Sequence, residues 1–322
     1  MKTVNGWIGL ALVVALFAFL PVQAQNYPQR PLRVIVPLAA GGGMDTVTRS
    51  LAGNLTEIFR QNVVVDNRPG AGSMIGLEIL SGAAPDGHTL MMISATTIIH
   101  PILYKSRFDV TRDFTPVSQV TEQGYALVVH PGIPAKSVTE LVKHLRAHPG
   151  EVNYSSSGIG SPIHMTTELF QLATGTRATH VPYKGMGAAY PDLVGGRIQM
   201  SFATIISSLP HVKNKRLRAL AVTPDKRAPA LPETPTLREA GVDLAVVNFY
   251  GLIAPAGTGK AALDRVSGET AKVMHRPDVM KRLVAEGSSA VGSTPAEFAA
   301  RLRAERERWT KVIKEAGIRP TR

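Results

Sequence analysis

The chain has 322 residues, 44% of them hydrophobic and 19% charged, with a formal net charge of +12 and no cysteine. These are globular values, large enough for a substantial core and about two domains, and they exclude disulfides and thiolate metal sites. Lys and Arg are dispersed among acids, as in the run Arg301 to Arg308, which reads as a solvated helix face and not as a nucleic-acid footprint.

Lys2, the apolar run Trp7–Leu20 and the small residues up to Ala24 form a secretory signal, too short to span a bilayer, with cleavage expected after Ala24. The mature chain then carries +11, since Lys2 leaves with the signal. Export without cysteine fits a periplasm.

The mature chain opens on its most informative stretch. Val34-Ile-Val36, between Pro31 and Pro37, has the composition of a buried strand. Leu38-Ala-Ala-Gly-Gly-Gly43 follows, and from Asp45 the apolar residues take helical spacing at Val47, Leu51, Leu55, Ile58 and Phe59. Such a strand–glycine–helix unit can bring free N–H groups and the positive end of a helix dipole to one point, which suits an anion. It can equally be a tight turn with Asp45 as N-cap.

Strand and helix signals then alternate, which predicts α/β layers with mostly parallel sheets. Asn62–Asp66 reads as a strand, Asn67–Gly72 as a turn, Met74–Leu80 as a helix and Thr89–Ser94 as a strand. Ser94, Thr96 and Thr97 lie at that strand's carboxyl end, the edge where open α/β sheets bind ligands. Tyr125–Val129 is another strand. Ser137-Val-Thr-Glu140 is a capping box, and Val152–Tyr154, Ser155–Ser161 and a helix from Pro162 repeat the strand–loop–helix unit with Ser161 as N-cap. Further strands are expected at Ala178–Val181, Ile198–Phe202, Leu217–Val222 and Leu244–Leu252, with a loop at Pro224–Pro235. A second capping box, Thr294–Glu297, opens the last helix, which carries Trp309.

Enzyme motifs fail on inspection. Gly257-Thr-Gly-Lys-Ala261 lacks both the first glycine and the hydroxyl of a phosphate loop, and neither Gly70-Ala-Gly72 nor Gly158-Ile-Gly160 completes a dinucleotide fingerprint, so no cofactor is expected. His144 and His148 share a helix face without the glutamate of a zinc site. Ser157 and His164 could form a hydrolytic pair, although no Gly-x-Ser-x-Gly elbow supports them.

Several segments, in one order, carry a resemblance. They are Val36–Asp45, Asn67–Gly72, Pro85–Leu90, Asn153–Ser161 with His164, His180–Gly185, Leu217–Thr223, Pro235-Thr236 with Glu239–Gly241, and Ala254–Gly257. Through them the chain resembles the Bug-type substrate-binding proteins of tripartite tricarboxylate transporters over nearly its whole mature length. The resemblance implies a two-lobed, Venus-flytrap α/β fold closing on a small organic acid, and therefore a binding protein and not an enzyme. The expected lobes are 25–125 with 250–322, and 126–249, crossed near Gly124–Val129 and Val247–Ile253.

Ligand contacts are expected from Leu38, Ala39, Ala40, Gly42, Gly43, Met44 and Asp45 on the first loop. Ser156, Ser157, Gly158, Gly160, Ser161 and His164 should supply those of the second. Ser94, Thr96, Thr97, Tyr183, Lys184, Thr204 and Phe249 complete the candidate site. His88, His100, Gln199 and the Phe249-Tyr250 pair depart from the family's usual residues. The expected partners are a small carboxylate and inner-membrane permease subunits or a sensor-kinase periplasmic domain, with the protein itself a monomer and nucleic acid and membrane insertion excluded. A hydrolase using Ser157 and His164 is the competing expectation.

Overall fold

The computed structural model describes residues 27–104 and 106–315. The signal segment lies outside the described residues. From β1 (Leu32–Val36) the chain passes through α1 (Gly43–Phe59), β2 (Val63–Asn67), α2 (Met74–Ser81), β3 (Thr89–Ile93) and α3 (Thr96–Leu103) to the long β4 (Phe114–Val129). Then come α4 (Val138–Ala147), β5 (Asn153–Ser156), α5 (Pro162–Thr174), β6 (Thr179–Pro182), α6 (Met186–Val194), β7 (Met200–Thr204), α7 (Ile205–Lys213) and β8 (Arg218–Val222). The chain returns through β9 (Val247–Pro255), α8 (Lys260–Met274), α9 (Pro277–Ala285), β10 (Ser288–Ala290) and α10 (Pro295–Glu315).

Among the described residues the ten strands belong to one continuous curled sheet, with path order β2-β1-β3-β9-β4-β7-β5-β6 and with β8 and β10 on β4. The expected two-lobed α/β architecture is the one observed. Where the sequence suggests mostly parallel pairing, the sheet is mixed. β1 with β2 and β3, and β5 with β6 and β7, are parallel, whereas every pairing of β4 and β9 is antiparallel. The reason is that β4 and β9 are not joined to their neighbours by βαβ crossovers, and β4 alone pairs in both halves of the sheet, with β9 through Gly124 and with β7 and β8 from Tyr125.

β4 carries most of this. Phe114 to Gly124 pairs with β9, and Tyr125 to Val129 pairs with β7 and β8. Gly124 marks the change. A Cβ there would overlap the Pro224 ring, so the strand can cross at this point only as glycine. Thr223 ties the crossing together: its N–H donates to the Tyr125 carbonyl, while its hydroxyl accepts from the Tyr125 N–H (2.9 Å) and donates to the Val246 carbonyl (2.6 Å).

Packing follows the same division. One buried apolar cluster draws its residues from Tyr125 to Val246. Two others cover opposite faces of the remaining sheet. Val34 and Val36 face the side with Leu51, Val266 and Leu283, and Ile35 faces the side with Leu77, Phe298 and Trp309. The last helix therefore packs with β1, not with the Tyr125–Val246 cluster. Ile206 and Met165 reach from the middle segment into these two clusters, so the lobes touch.

Candidate functional site

α1 begins without a side-chain cap. Gly42 is its N-cap, with extended backbone, and Asp45 lies inside the first turn instead of capping it. Gly41, at φ 81°, takes the left-handed turn that glycine permits at low cost. Asp45 accepts from the Gly41 N–H (3.0 Å), Arg49 Nε (3.0 Å) and Asn67 Nδ2 (3.1 Å), and Asn67 Nδ2 also donates to the Leu38 carbonyl (3.0 Å). Burial alone would raise the Asp45 carboxyl, but these bonds hold it below the usual carboxylate range. Its charge is thus spent inside the protein. The N–H groups of Gly43 and Met44 have no intrahelical partner and no cap.

Those groups border a small pocket of about 30 Å³, room for about one water, lined also by Leu38, Ala39, Gly42, Ser157, Ile163, Met186, Thr204 and Tyr250. Gly43 is required by proximity: a Cβ there would overlap Thr204 Oγ1 and lie 3.0 Å from Tyr250 Oη.

The second loop is built differently. Ser161 caps α5, its hydroxyl accepting from the His164 N–H (3.3 Å), and Pro162, at the first helical position, has no N–H to offer. Behind the loop the rings of Tyr154, His180 and His164 stack, with centroids 4.8 and 4.2 Å apart. His164 Nδ1 accepts from the Gly160 N–H (3.2 Å), and His180 Nε2 lies 2.7 Å from Ser156 Oγ. Burial, then the neighbouring His164, pushes His180 down to about 3. Burial also lowers His164, against the opposing pull of Glu168. Both rings are neutral at pH 7 and act as scaffold.

The two loops meet at a second cavity of about 400 Å³, which shares Leu38 and Ser157 with the small pocket. Its walls include Pro37, Gly70–Ser73, Thr96, His100, Tyr104, Gly158, Ile159, Pro182, Tyr183 and Lys184. The lobes are closed over it. The Ala39 N–H donates to the Lys184 carbonyl (2.8 Å), and a Cβ on Gly187 would overlap the Ala40 carbonyl.

Of the expected site residues, Leu38, Ala39, Gly42, Gly43, Met44, Asp45, Thr96, Ser157, Gly158, Tyr183, Lys184 and Thr204 line one cavity or the other. Ser156, Gly160, Ser161 and His164 support the second loop from behind, and Ala40 lies at the lobe contact. Ser94 supports Thr96, Oγ to Oγ1 3.2 Å. Thr97 faces a separate cavity beside Arg306. Phe249 is buried against Phe298 (5.8 Å), and it is Tyr250 that reaches the pocket, because neighbouring strand residues face opposite ways.

Among the departures, Gln199 accepts from the Asn153 N–H (2.8 Å) and donates to the Gly196 carbonyl (2.8 Å). His88 packs on Tyr27 (5.0 Å), whereas His100 faces the larger cavity, as Tyr250 does the smaller. Sequence reasoning missed Tyr104, Tyr250, Met186 and Gly187. The Gly185-Met-Gly187 run at the start of α6 was the available signal for the last two.

Comparison with known proteins agrees with this geometry. The model of the tripartite tricarboxylate transporter family receptor matches residues 47–318. Protein BugT of Bordetella pertussis is 34% identical over 97% of both chains. Among solved structures, Rhodopseudomonas palustris Rpa4515 with adipate is 32% identical, with a TM-score of 0.89 over 92% of this chain and 100% of that one. MatC from the same organism with bound malate is 29% identical, with a TM-score of 0.85 over 89% and 100%. The chain belongs to the tripartite tricarboxylate transporter receptor family.

Proposed function

We propose that the protein is a periplasmic receptor that captures a small organic carboxylate between its lobes. The observation that carries this reading is the uncapped start of α1 bordering a small pocket that shares Leu38 and Ser157 as lining with the larger cavity. A helix N-terminus of this kind stabilises an anion by up to ~2 kcal/mol when partly buried, and each N–H bond to a charged acceptor adds ~1.5–3 kcal/mol. Micromolar affinity corresponds to about −8 kcal/mol, within reach of a few such contacts and apolar burial. The adipate and malate in relatives' structures support a carboxylate.

The lobes in this reading are 25–125 with 250–322, and 126–249, with β4 and β9 as the hinge strands. The residues lining the two cavities form the binding site, and the monomeric receptor delivers its ligand to membrane permease subunits or to a sensor domain. Residues 1–24 are removed on export. Among the described residues no helix is long and apolar enough to cross a membrane. The hydrolase reading is disfavoured by bonding as well as by kinship: His164 Nδ1 is occupied by Gly160, and the serine touching an imidazole is the buried Ser156, not Ser157.

Thermal-shift screening of carboxylates against matched neutral solutes tests the proposal. A carboxylate at a hundred times its dissociation constant stabilises the protein by ~2.7 kcal/mol, several degrees in Tm. Larger shifts from neutral amides or sugars than from any carboxylate would contradict it.

A further inference from the structure

Building on the receptor reading, we propose that the ligand is a monocarboxylate bearing a flat, uncharged ring, and that His100 and Tyr104 form the wall that selects it. The carboxylate end goes to the α1 start, and the ring occupies the cavity of about 400 Å³ beyond Leu38 and Ser157.

Three observations carry this. First, the His100 and Tyr104 rings stack, with centroids 4.9 Å apart, and present an aromatic wall faced by Pro37, Ile159, Pro182 and Tyr183. Aromatic ligands gain from offset or edge-to-face packing on such rings beyond simple area burial. The wall is held in place by Gly72 at φ 57°, where a Cβ would overlap the His100 ring. The backbone keeps positive φ through Gly70, Ala71, Gly72 and Ser73, two of them non-glycine, which is the kind of strain that persists at ligand clamps.

Second, His100 Nδ1 and Tyr104 Oη are buried and make no hydrogen bond among the described residues. Unpartnered groups of this sort on residues that line a cavity leave bonding capacity that a turn of either ring presents to a neutral polar substituent.

Third, the cavity offers little to a second carboxylate. Among the described residues that line it Lys184 is the one charged side chain, and it is exposed at the lip, where water competes for it. Burial lowers His100, which leaves that ring uncharged at pH 7. A distal carboxylate would be desolvated against rings without a counter-charge.

The test is calorimetric titration of the full mature protein, freed of co-purifying ligand by unfolding and refolding, with benzoate, 4-hydroxybenzoate, adipate and acetate. Benzoate and 4-hydroxybenzoate should bind at least tenfold more tightly than adipate or acetate. Tyr104→Phe should weaken 4-hydroxybenzoate by about 2- to 10-fold and spare benzoate, the effect of one neutral hydrogen bond. His100→Asn should weaken both aromatic acids by about 2- to 10-fold while acetate is unchanged.

Adipate binding more tightly than either aromatic acid would overturn the inference and leave the receptor reading standing. So would equal losses for all four acids in both variants. A protein that binds neutral solutes and none of the four acids would overturn the inference together with the receptor reading.

Discussion

The two glycine loops look alike in sequence, each a buried strand followed by glycines and a helix, yet they are finished in opposite ways. At α1 the cap position is Gly42, without a side-chain acceptor, and the first-turn N–H groups open into the small pocket. At α5 Ser161 and Pro162 close the helix start from within, and the loop rests on the Tyr154–His180–His164 stack. One loop leaves its donors without a side-chain cap at the edge of a pocket. The other uses its own to hold shape. The two helix starts, alike in sequence, therefore differ in what they leave open: the first-turn donors at α1, and at α5 a loop whose Ser157 and Gly158 still line the cavities.

The largest effect should come from filling the pocket at α1. Gly43→Val places side-chain atoms over Thr204 Oγ1 and the pocket, and should weaken carboxylate binding at least a hundredfold by calorimetry while circular dichroism shows a folded chain. The second largest should come from the lobes' contact. Gly187→Ala pushes a Cβ into the Ala40 carbonyl, so the closed arrangement cannot form. Solution scattering should then give a radius of gyration that ligand no longer reduces, with affinity lowered as the closed state becomes rarer.

The support of the α5 loop should titrate and the α1 start should not. Unfolded histidines take up protons below about pH 6.5, whereas His164 and His180, with lowered folded values, resist doing so. The unfolded chain thus binds more protons between about pH 6.5 and 3, so stability is full above that window and falls as the pH drops through it. His180→Phe, which keeps a ring in the stack, should flatten the dependence of Tm on pH between 7.5 and 5 without altering the affinity for carboxylate at pH 7.5.

The smallest effects separate the loops most cleanly. Ser161→Ala removes a cap and should cost about 1 kcal/mol, a few degrees in Tm, with little change in binding. Gly42→Ser does the reverse. Its Cβ has ordinary room, 3.6 Å from the Gly187 N, and its hydroxyl can cap α1, so the free protein should gain a few tenths of a kcal/mol while the ligand meets a competitor for the same donors.

How much of this was legible depends on how local the cause is. β1, α1 and both capping boxes were readable because glycine runs, apolar spacing and Ser/Thr–Glu pairs act within one turn. The second box forms as expected, with the Thr294 N–H on Glu297 Oε2 (2.9 Å), while in the first Ser137 caps the Glu140 N–H (3.1 Å) but Glu140 Oε2 accepts from Lys136 N–H (2.6 Å), one residue before the cap. α3, α6 and α7 were not read as helices, because Pro101, Pro191 and Pro210 break the local signal; each helix ends within three residues of its proline. The first half of β4 was hidden because irregularities between Pro116 and Ser118 and between Gln119 and Thr121 disturb the alternation. The functions of Gly187 and Tyr250 were illegible for a tertiary reason: what each meets comes from the other side of the cleft.

The central claim, that the carboxylate is held at the uncapped start of α1, is tested most directly by amide nitrogen–proton spectra of the uniformly labelled protein during titration with a binding carboxylate. The Gly43 and Met44 amides should move downfield by the largest amounts, and the His164 amide, already bonded to Ser161, should barely move. Shifts concentrated at residues 158–164 with Gly43 and Met44 unmoved would contradict the account.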